Sequence, residues 1–285
     1  MLWENLREEE FDAAIETAGK VCVVPIGCLE MHGQHLPVGT DAQTAYYVAK
    51  KAAELEDVCV FPPLYFGDVS GLTMWRGAII FSLELLQRML TELCDEIARN
   101  GFKKIVLLNG HGGNVHLLQN FIRSTKHQKK DYVVLTRNEY CYSVTHLARE
   151  LSGGVKFPEL TEQDKQYVTD FVAAKKTYGH GGINETSIIL KINPDAVRMD
   201  RMHAVNGLSR KRTAYLGGTG FEHSPSLWLE DFPDSYEGDY SEGASERIGE
   251  VILRRRIEAQ ARACRLLKQD DRLLDWNNDW NNSWI

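Results

Sequence analysis

The sequence predicts an α/β fold, with a mostly parallel sheet covered by helices on both faces. Short β-branched apolar runs alternate with longer amphipathic segments along the first half of the chain. That alternation, with a spacing of roughly 30 residues, is the pattern of strands joined by crossover helices. Three polar loops rich in glycine, histidine and carboxylate also interrupt the pattern, and in parallel sheets such loops follow the strands' C-terminal ends.

Val21 to Ile26 (VCVVPI) reads as the first strand. Asp41 to Leu55 carries helical periodicity, with Ala45, Val48, Ala49 and Ala52 on one side. Val58 to Phe61 reads as a strand that stops at Pro62-Pro63. Leu83 to Ala98 is an amphipathic helix closed by Asn100-Gly101. Lys104 to Leu108 is a buried strand, Asn114 to Lys126 a helix, and Tyr132 to Thr136 a further strand. Beyond Asn138 the pattern weakens. Gln163 to Lys176 reads as a helix, and Glu185 to Lys191 fits a short helix or a strand equally well. Residues 206–242 have no period and predict irregular loops. Ala244 to Leu267 is a long helix with Ile248, Val251, Ile252, Ile257 and Ala261 on its apolar side. In the tail, Trp276, Trp280 and Trp284 recur every fourth residue and would share a helix face. They predict an anchor onto the protein's own surface or onto a neighbouring subunit. No linker forces a split of the 285 residues, a length that allows one large α/β domain or two small ones; the motifs fall within about 20–255, and the C-terminal helix and tail span 244–285.

Composition narrows the function classes. Hydrophobic residues make up 43% and charged residues 26%, an ordinary globular mix. A net charge of -7 and a pI near 5.8 argue against a nucleic-acid surface. No apolar run approaches the ~18 residues of a membrane span. The start, MLWENLREEE, has neither the basic nor the apolar region of a secretory signal. Cys22, Cys28, Cys59, Cys94, Cys141 and Cys264 are scattered with no C-x-x-C pair, which predicts free thiols and a cytoplasmic location.

The three loops carry the chemistry. The first runs from Gly27 to Asp41 and offers Glu30, His32 and Asp41 as oxygen, nitrogen and oxygen donors. In extended chain Glu30 and His32 project the same way. Asp41 opens a helix, so it is either an N-cap or a carboxylate able to bridge two cations. His35, before Leu36-Pro37, reads as a hydrogen-bonded supporting residue. The second loop is Asn109 to Asn114, where three glycines let the backbone turn and leave His111 projecting. A phosphate cradle is disfavoured because the P-loop lysine is missing. His116 falls on the following helix and reads as structural. The third loop, Tyr178 to Ser187, offers His180 as a ligand or proton carrier, and Glu185 as a ligand or a helix-start acid. Such an oxygen and nitrogen set suits Zn, Mn or Fe(II).

The stretches PIGCLEMHGQHLPVGTD (25–41), NGHGGN (109–114) and GHGGINETS (179–187) resemble the creatininase (creatinine amidohydrolase) family. Weaker echoes are RGAIIFSLELL (76–86) and GDYSEGASERIGE (238–250). The resemblance implies a single-domain, three-layer α/β/α sandwich with a mostly parallel (mixed) sheet, two divalent metal ions and a homohexamer. It also implies that Glu30, His32, Asp41 and His111 are metal ligands, that Asp41 bridges the ions, and that His180 is the general acid or base. Glu185 matches the carboxylate of the motif G-H-x-G-x-x-E-T-S. One departure is Gly113, where true creatininases carry a ligand glutamate; Glu185 is the nearest replacement. The NGHGGN form is more similar to relatives that hydrolyse a pyrimidine formamide or trim a peptide-derived redox cofactor. Gln34, where the family usually has proline, and Trp75-Arg76 before Gly77 are further departures.

The expected function is a binuclear amidohydrolase acting on a small-molecule amide, cyclic or of formamide type. Glu30, Asp41 and His111 would hold one ion, and His32, Asp41 and Glu185 the other. A hydroxide between them would attack the carbonyl, with His180 protonating the leaving nitrogen. The alternatives are a binuclear phosphoesterase, for which Arg76 is the one basic residue beside the motifs, and a non-catalytic binding or assembly protein that keeps the metal for stability.

Overall fold

The computed structural model describes residues 1–176, 179–221, 227–238 and 241–284. Of the motif residues quoted above, Tyr178, Asp239 and Tyr240 lie outside that set. Along the chain run α1 (Phe11–Thr17), β1 (Val21–Ile26), α2 (Thr40–Leu55), β2 (Cys59–Val60), α3 (Leu83–Arg99), β3 (Lys104–Asn109), α4 (Asn114–Ser124) and β4 (Val133–Asn138). They are followed by α5 (Val144–Ser152), α6 (Glu162–Ala173), α7 (Ile183–Ile192), α8 (Trp228–Asp231), α9 (Glu246–Lys268) and α10 (Arg272–Asn282).

The strands form one sheet in the order β2-β1-β3-β4, and every described pairing is parallel. Every residue of β1 and β3 is buried, as expected when both faces of a parallel sheet are covered. Alternation sorts their side chains. Val21, Val23, Val106 and Leu108 join α2, α5, α6, α7 and α9 in one apolar layer. Cys22, Val24, Ile26, Ile105 and Leu107 join α1, α3 and α4 in the other. The molecule is therefore a three-layer α/β/α sandwich.

α3 begins where Ser82 Oγ accepts the backbone N–H of Leu85, and it buries Leu86, Leu90, Cys94 and Ile97 at helical spacing. The segment at 185–191, ambiguous in sequence, is helix α7. The described residues within 206–238 hold short helical turns and an isolated bridge residue between loops, as the lack of periodicity indicated. α1 and α5 are additional helices. α10 presents Trp276 and Trp280, both more than half exposed, on a groove of about 370 Å³ against Tyr132 and the edge strand β4. Trp284 lies past the helix end, under the ammonium of Lys129. All six cysteines are free, and only Cys141 is exposed.

The strand order places the chemistry. The chain leaves β1 through α2 toward β2 on one side and leaves β3 through α4 toward β4 on the other. The loops after β1 and β3 therefore diverge and leave a crevice at the carboxyl ends of the two central strands, the usual ligand position of such sheets.

Candidate metal centre

The crevice gathers all six of the expected residues. Asp41 is the hub. It lies in the first turn of α2, whose N-cap is Gly39, and its carboxylate caps no backbone group; it faces the cluster. Oδ1 is 2.9 Å from Nε2 of His32, and Oδ2 is 2.9 Å from Nδ1 of His111. Each oxygen thus faces a different imidazole. Glu30 Oε1 stands 2.9 Å from His111 Nδ1 and 3.9 Å from His32 Nε2. Glu185 Oε2 is 3.7 Å from His32 Nε2, and Nδ1 of His180 is 3.6 Å from Glu30. The His32 and His180 rings stack with centroids 3.9 Å apart.

Each imidazole is oriented from behind. His111 Nε2 donates to the backbone oxygen of Asp68 at 2.8 Å, so Nδ1 turns its lone pair toward the carboxylates when neutral. His180 Nε2 donates to the backbone oxygen of Met31 at 2.6 Å, with Ser235 Oγ at 3.4 Å, which leaves Nδ1 facing Glu30. His32 Nδ1 reaches the Glu30 carbonyl at 3.2 Å. The Glu185 carboxylate also accepts the N–H of Gly181 at 2.6 Å, so it is a helix-start acid as well as a member of the cluster.

The buried carboxylates favour positive charge in the cluster. Burial alone would lower the His32 imidazole, but Asp41, Glu185 and Glu30 overcome it and push it up to about 10. Burial likewise opposes His111, and the neighbouring Cys28 and Glu30 hold it well above its usual value. Burial would raise Asp41, yet the two imidazoles keep it well below the usual carboxylate range. Protons on the imidazoles thus balance buried carboxylates, and divalent ions would displace those protons. The residues fit such ions on a second count. Oε1 of Glu30 is buried and has no hydrogen-bond partner among the described residues, because its approach to His111 is not hydrogen-bond geometry. A donor atom left unpaired in the interior is costly unless a ligand takes it.

Three groups of donor atoms lie close enough to hold an ion: Cys28, Glu30, Asp41 and His111; His32, Asp41 and Glu185; and Glu30, His32 and His180. Sequence reading missed Cys28, although it continues the two-residue spacing of Glu30 and His32. It also missed Glu237, whose N–H donates to the His180 carbonyl and whose carboxylate accepts the Nε1–H of Trp228 at 2.6 Å. The rings of Trp228 and His180 meet edge to face, with centroids 5.2 Å apart. His35 proves to be a supporting residue. Its Nε2 bonds the Gly181 carbonyl and Thr186, tying the third loop to the first. His116, Gln34 and Arg76 are exposed. Trp75 packs with Val69, Leu72 and Leu229 and donates to the Pro233 carbonyl.

The family model for creatininase, described as creatinine amidohydrolase, matches residues 4–264. The chain belongs to the creatininase family. It is a hydrolase of carbon–nitrogen bonds. Among curated relatives, the creatinine amidohydrolase of Pseudomonas putida is 28% identical over 210 residues, covering 70% of this chain and 74% of the relative. A mycofactocin precursor peptide peptidase of Mycolicibacterium smegmatis is 26% identical over 63% of this chain and 61% of its own length. A 2-amino-5-formylamino-6-ribosylaminopyrimidin-4(3H)-one 5'-monophosphate deformylase of Methanococcus maripaludis is 28% identical over 63% of this chain and 76% of its own. Among solved structures, one described as creatininase Mn superposes with a TM-score of 0.70 at 22% identity, covering 93% of this chain and 97% of that one. A mutant creatininase of Zn-Zn type gives 0.68 at 22%, covering 93% and 96%. The structural likenesses establish the shared creatininase fold.

Proposed function

We propose that this creatininase-family hydrolase is a two-metal enzyme that cleaves the C–N bond of a small non-peptide amide, cyclic or of formamide type. One ion would be held by Glu30, Asp41 and His111, the other by His32, Asp41 and Glu185. The observation that carries the reading is the division of Asp41, with one carboxylate oxygen turned toward each half of the cluster. Two divalent ions sharing a carboxylate supply a hydroxide at neutral pH and polarise a carbonyl. Zn, Mn and Fe(II) all suit these donors.

The chain's own residues do the rest. Glu30, His32 and Asp41 are almost wholly enclosed, whereas the Glu185 side chain is 28% and the His180 side chain 14% exposed. Substrate therefore enters on the side of His180 and Glu185, beside Trp228 and Glu237. His180, pinned through Nε2, has Nδ1 free to deliver a proton to the leaving nitrogen. Gly113 in place of the glutamate that the resemblance implies favours a formamide-type substrate over creatinine itself. The phosphoesterase alternative has little support, since no contact of Arg76 with the cluster is present among the described residues. The same reading carries a single domain over 1–285, a homohexamer and a cytoplasmic location; among the described residues no helix is long and apolar enough to cross a membrane.

Metal content per chain tests the proposal. Wild type purified without chelator should carry about two ions, and Asp41→Ala should lose most of both. Metal-replete wild type with no bound ion would overturn it. His180→Ala should lower turnover and leave metal content intact. Loss of metal in that variant would make His180 a ligand, as the Glu30, His32 and His180 grouping permits.

A further inference from the structure

Resting on the two-metal reading above, we propose that Cys28 is a ligand of the Glu30, Asp41 and His111 position, which makes that position a four-donor thiolate site unlike its neighbour. Cys28 follows β1 by two residues and is fully buried. Its Sγ lies 3.1 Å from Asp41 Oδ2, on the same oxygen that faces His111. The donor atoms of Cys28, Glu30, Asp41 and His111 all lie within 4.8 Å of one another, and all four residues are buried. Oε1 of Glu30, buried and without a hydrogen-bond partner among the described residues, lies 2.9 Å from the His111 nitrogen of this group, which marks it as a place where a ligand is wanted. The remaining cysteines belong elsewhere: Cys22, Cys59 and Cys94 lie in the apolar layer with α1, α3 and α4, Cys264 is a buried residue of α9, and Cys141 is exposed beside Arg137.

The consequence is an unequal pair of positions. Four protein donors including a thiolate form the closed arrangement typical of tightly retained zinc, whereas three donors leave a place open. The position of His32, Asp41 and Glu185 has three, one of them the partly exposed Glu185. The closed position therefore retains a thiophilic ion, Zn²⁺ in preference to Mn²⁺, and the open position is the exchangeable one that meets substrate. Coordination breaks the S–H bond, and the thiol proton leaves to solvent as the ion enters.

Cobalt substitution of the full chain tests this. Metal-free wild type titrated with Co²⁺ should develop visible ligand-field bands together with a near-ultraviolet thiolate-to-cobalt charge-transfer band. Cys28→Ser should keep ligand-field bands and lose the charge-transfer band. Its zinc affinity at the tighter position should fall by more than about tenfold, because loss of an outer-shell partner alone costs about 10–100-fold. Ligand-field bands without charge transfer in wild type, or charge transfer retained in Cys28→Ser, overturn the assignment and leave the metal centre standing. No cobalt binding at all overturns the two-metal reading itself. Should Cys28→Ser not fold, zinc-edge X-ray absorption of the wild type decides. A sulfur neighbour at about 2.3 Å supports Cys28, and a shell of nitrogen and oxygen alone refutes it.

Discussion

Gly113 stands where the resemblance to creatininases implies a ligand glutamate, and the structure indicates what a side chain there would do. Its φ of -60° and ψ of -30° are ordinary helical values, so no backbone conformation demands glycine. Space does. A Cβ at 113 would lie 2.5 Å from Nε2 of His111 and closer still to the carbonyl oxygen of Asp68, so the contact would have to open by at least about half an ångström. Neither side yields easily. The Asp68 N–H donates to Asn114 Oδ1 at 2.8 Å, and Asn114 Nδ2 donates to the Gly27 carbonyl at 3.3 Å. Gly113→Ala therefore breaks the His111 to Asp68 hydrogen bond, about 0.5–1.5 kcal/mol net, and overpacks the turn by about 1–3 kcal/mol. The expected loss is about 2–4 kcal/mol, seen as a fall in Tm of roughly 3–7 °C. Because the broken bond orients His111, zinc affinity measured by chelator competition should drop about 10–100-fold. Gly113→Glu should fare no better, although it restores the family's residue. A Gly113→Ala protein with wild-type Tm and zinc affinity, or a Gly113→Glu protein that binds metal more tightly, would refute the argument.

Three further outcomes are expected. Burial pushes His35 down to about 4, so it stays neutral in the fold while the unfolded chain takes up its proton near pH 6.5; stability is therefore lost as pH falls from about 6.5 to about 4, by about 3 kcal/mol. Urea midpoints of metal-free protein should fall more steeply over that range in wild type than in His35→Gln, and parallel profiles would show that His35 is not held neutral. Arg256 gives its guanidinium to Glu139 at 2.7 and 2.9 Å and to the Tyr142 carbonyl at 2.9 Å, all buried; Arg256→Ala should cost about 3–5 kcal/mol, whereas Arg256→Met with Glu139→Leu should stay near wild type. A urea titration in which the single change is harmless would contradict this. Gly249→Ala would push a Cβ into the backbone of Ser187, 2.5 Å from its carbonyl carbon, and should lower stability by about 1–3 kcal/mol in thermal melts; an unchanged Tm would show that α7 and α9 can part there.

Much of this was legible in the sequence because the information is local. β1 and β3 are six-residue β-branched or aliphatic runs, and α3 repeats its buried residues at helical spacing. The donors of the first two loops were legible for the same reason, since a strand end and a glycine-rich turn leave few side chains free to point into a crevice. α7 was ambiguous because Ile183, Ile188 and Ile189 are buried and the polar Asn184, Thr186 and Ser187 are buried among them, which erases the period that separates helix from strand. α5 does carry a pattern, in Val144, Leu147 and Ala148, and Ser143 and His146 cap its start; its nine residues gave that pattern little length to register. Cys28 was hidden by its chemistry, because a buried cysteine beside a strand reads as a small apolar residue until Asp41 is seen against it. Glu237 was invisible because its approach to His180 depends on a loop with no period.

The centre is assembled from distant parts of the chain, with His180 closing onto Met31 across 149 residues. A ribosome delivers these parts in order. A nascent chain that has emerged only as far as α6 already displays Glu30, His32, Asp41 and His111, yet it lacks His180, Glu185 and the Ser235 hydroxyl that bonds the Met31 carbonyl. On the two-metal proposal, the position of Cys28, Glu30, Asp41 and His111 has all its donors by then, whereas that of His32, Asp41 and Glu185 waits for α7. On the same proposal, a lesion where α7 seats on α9, at Gly249 against the Ser187 backbone, would shift Glu185, two residues away, and emerge in cells as a fault in metal acquisition.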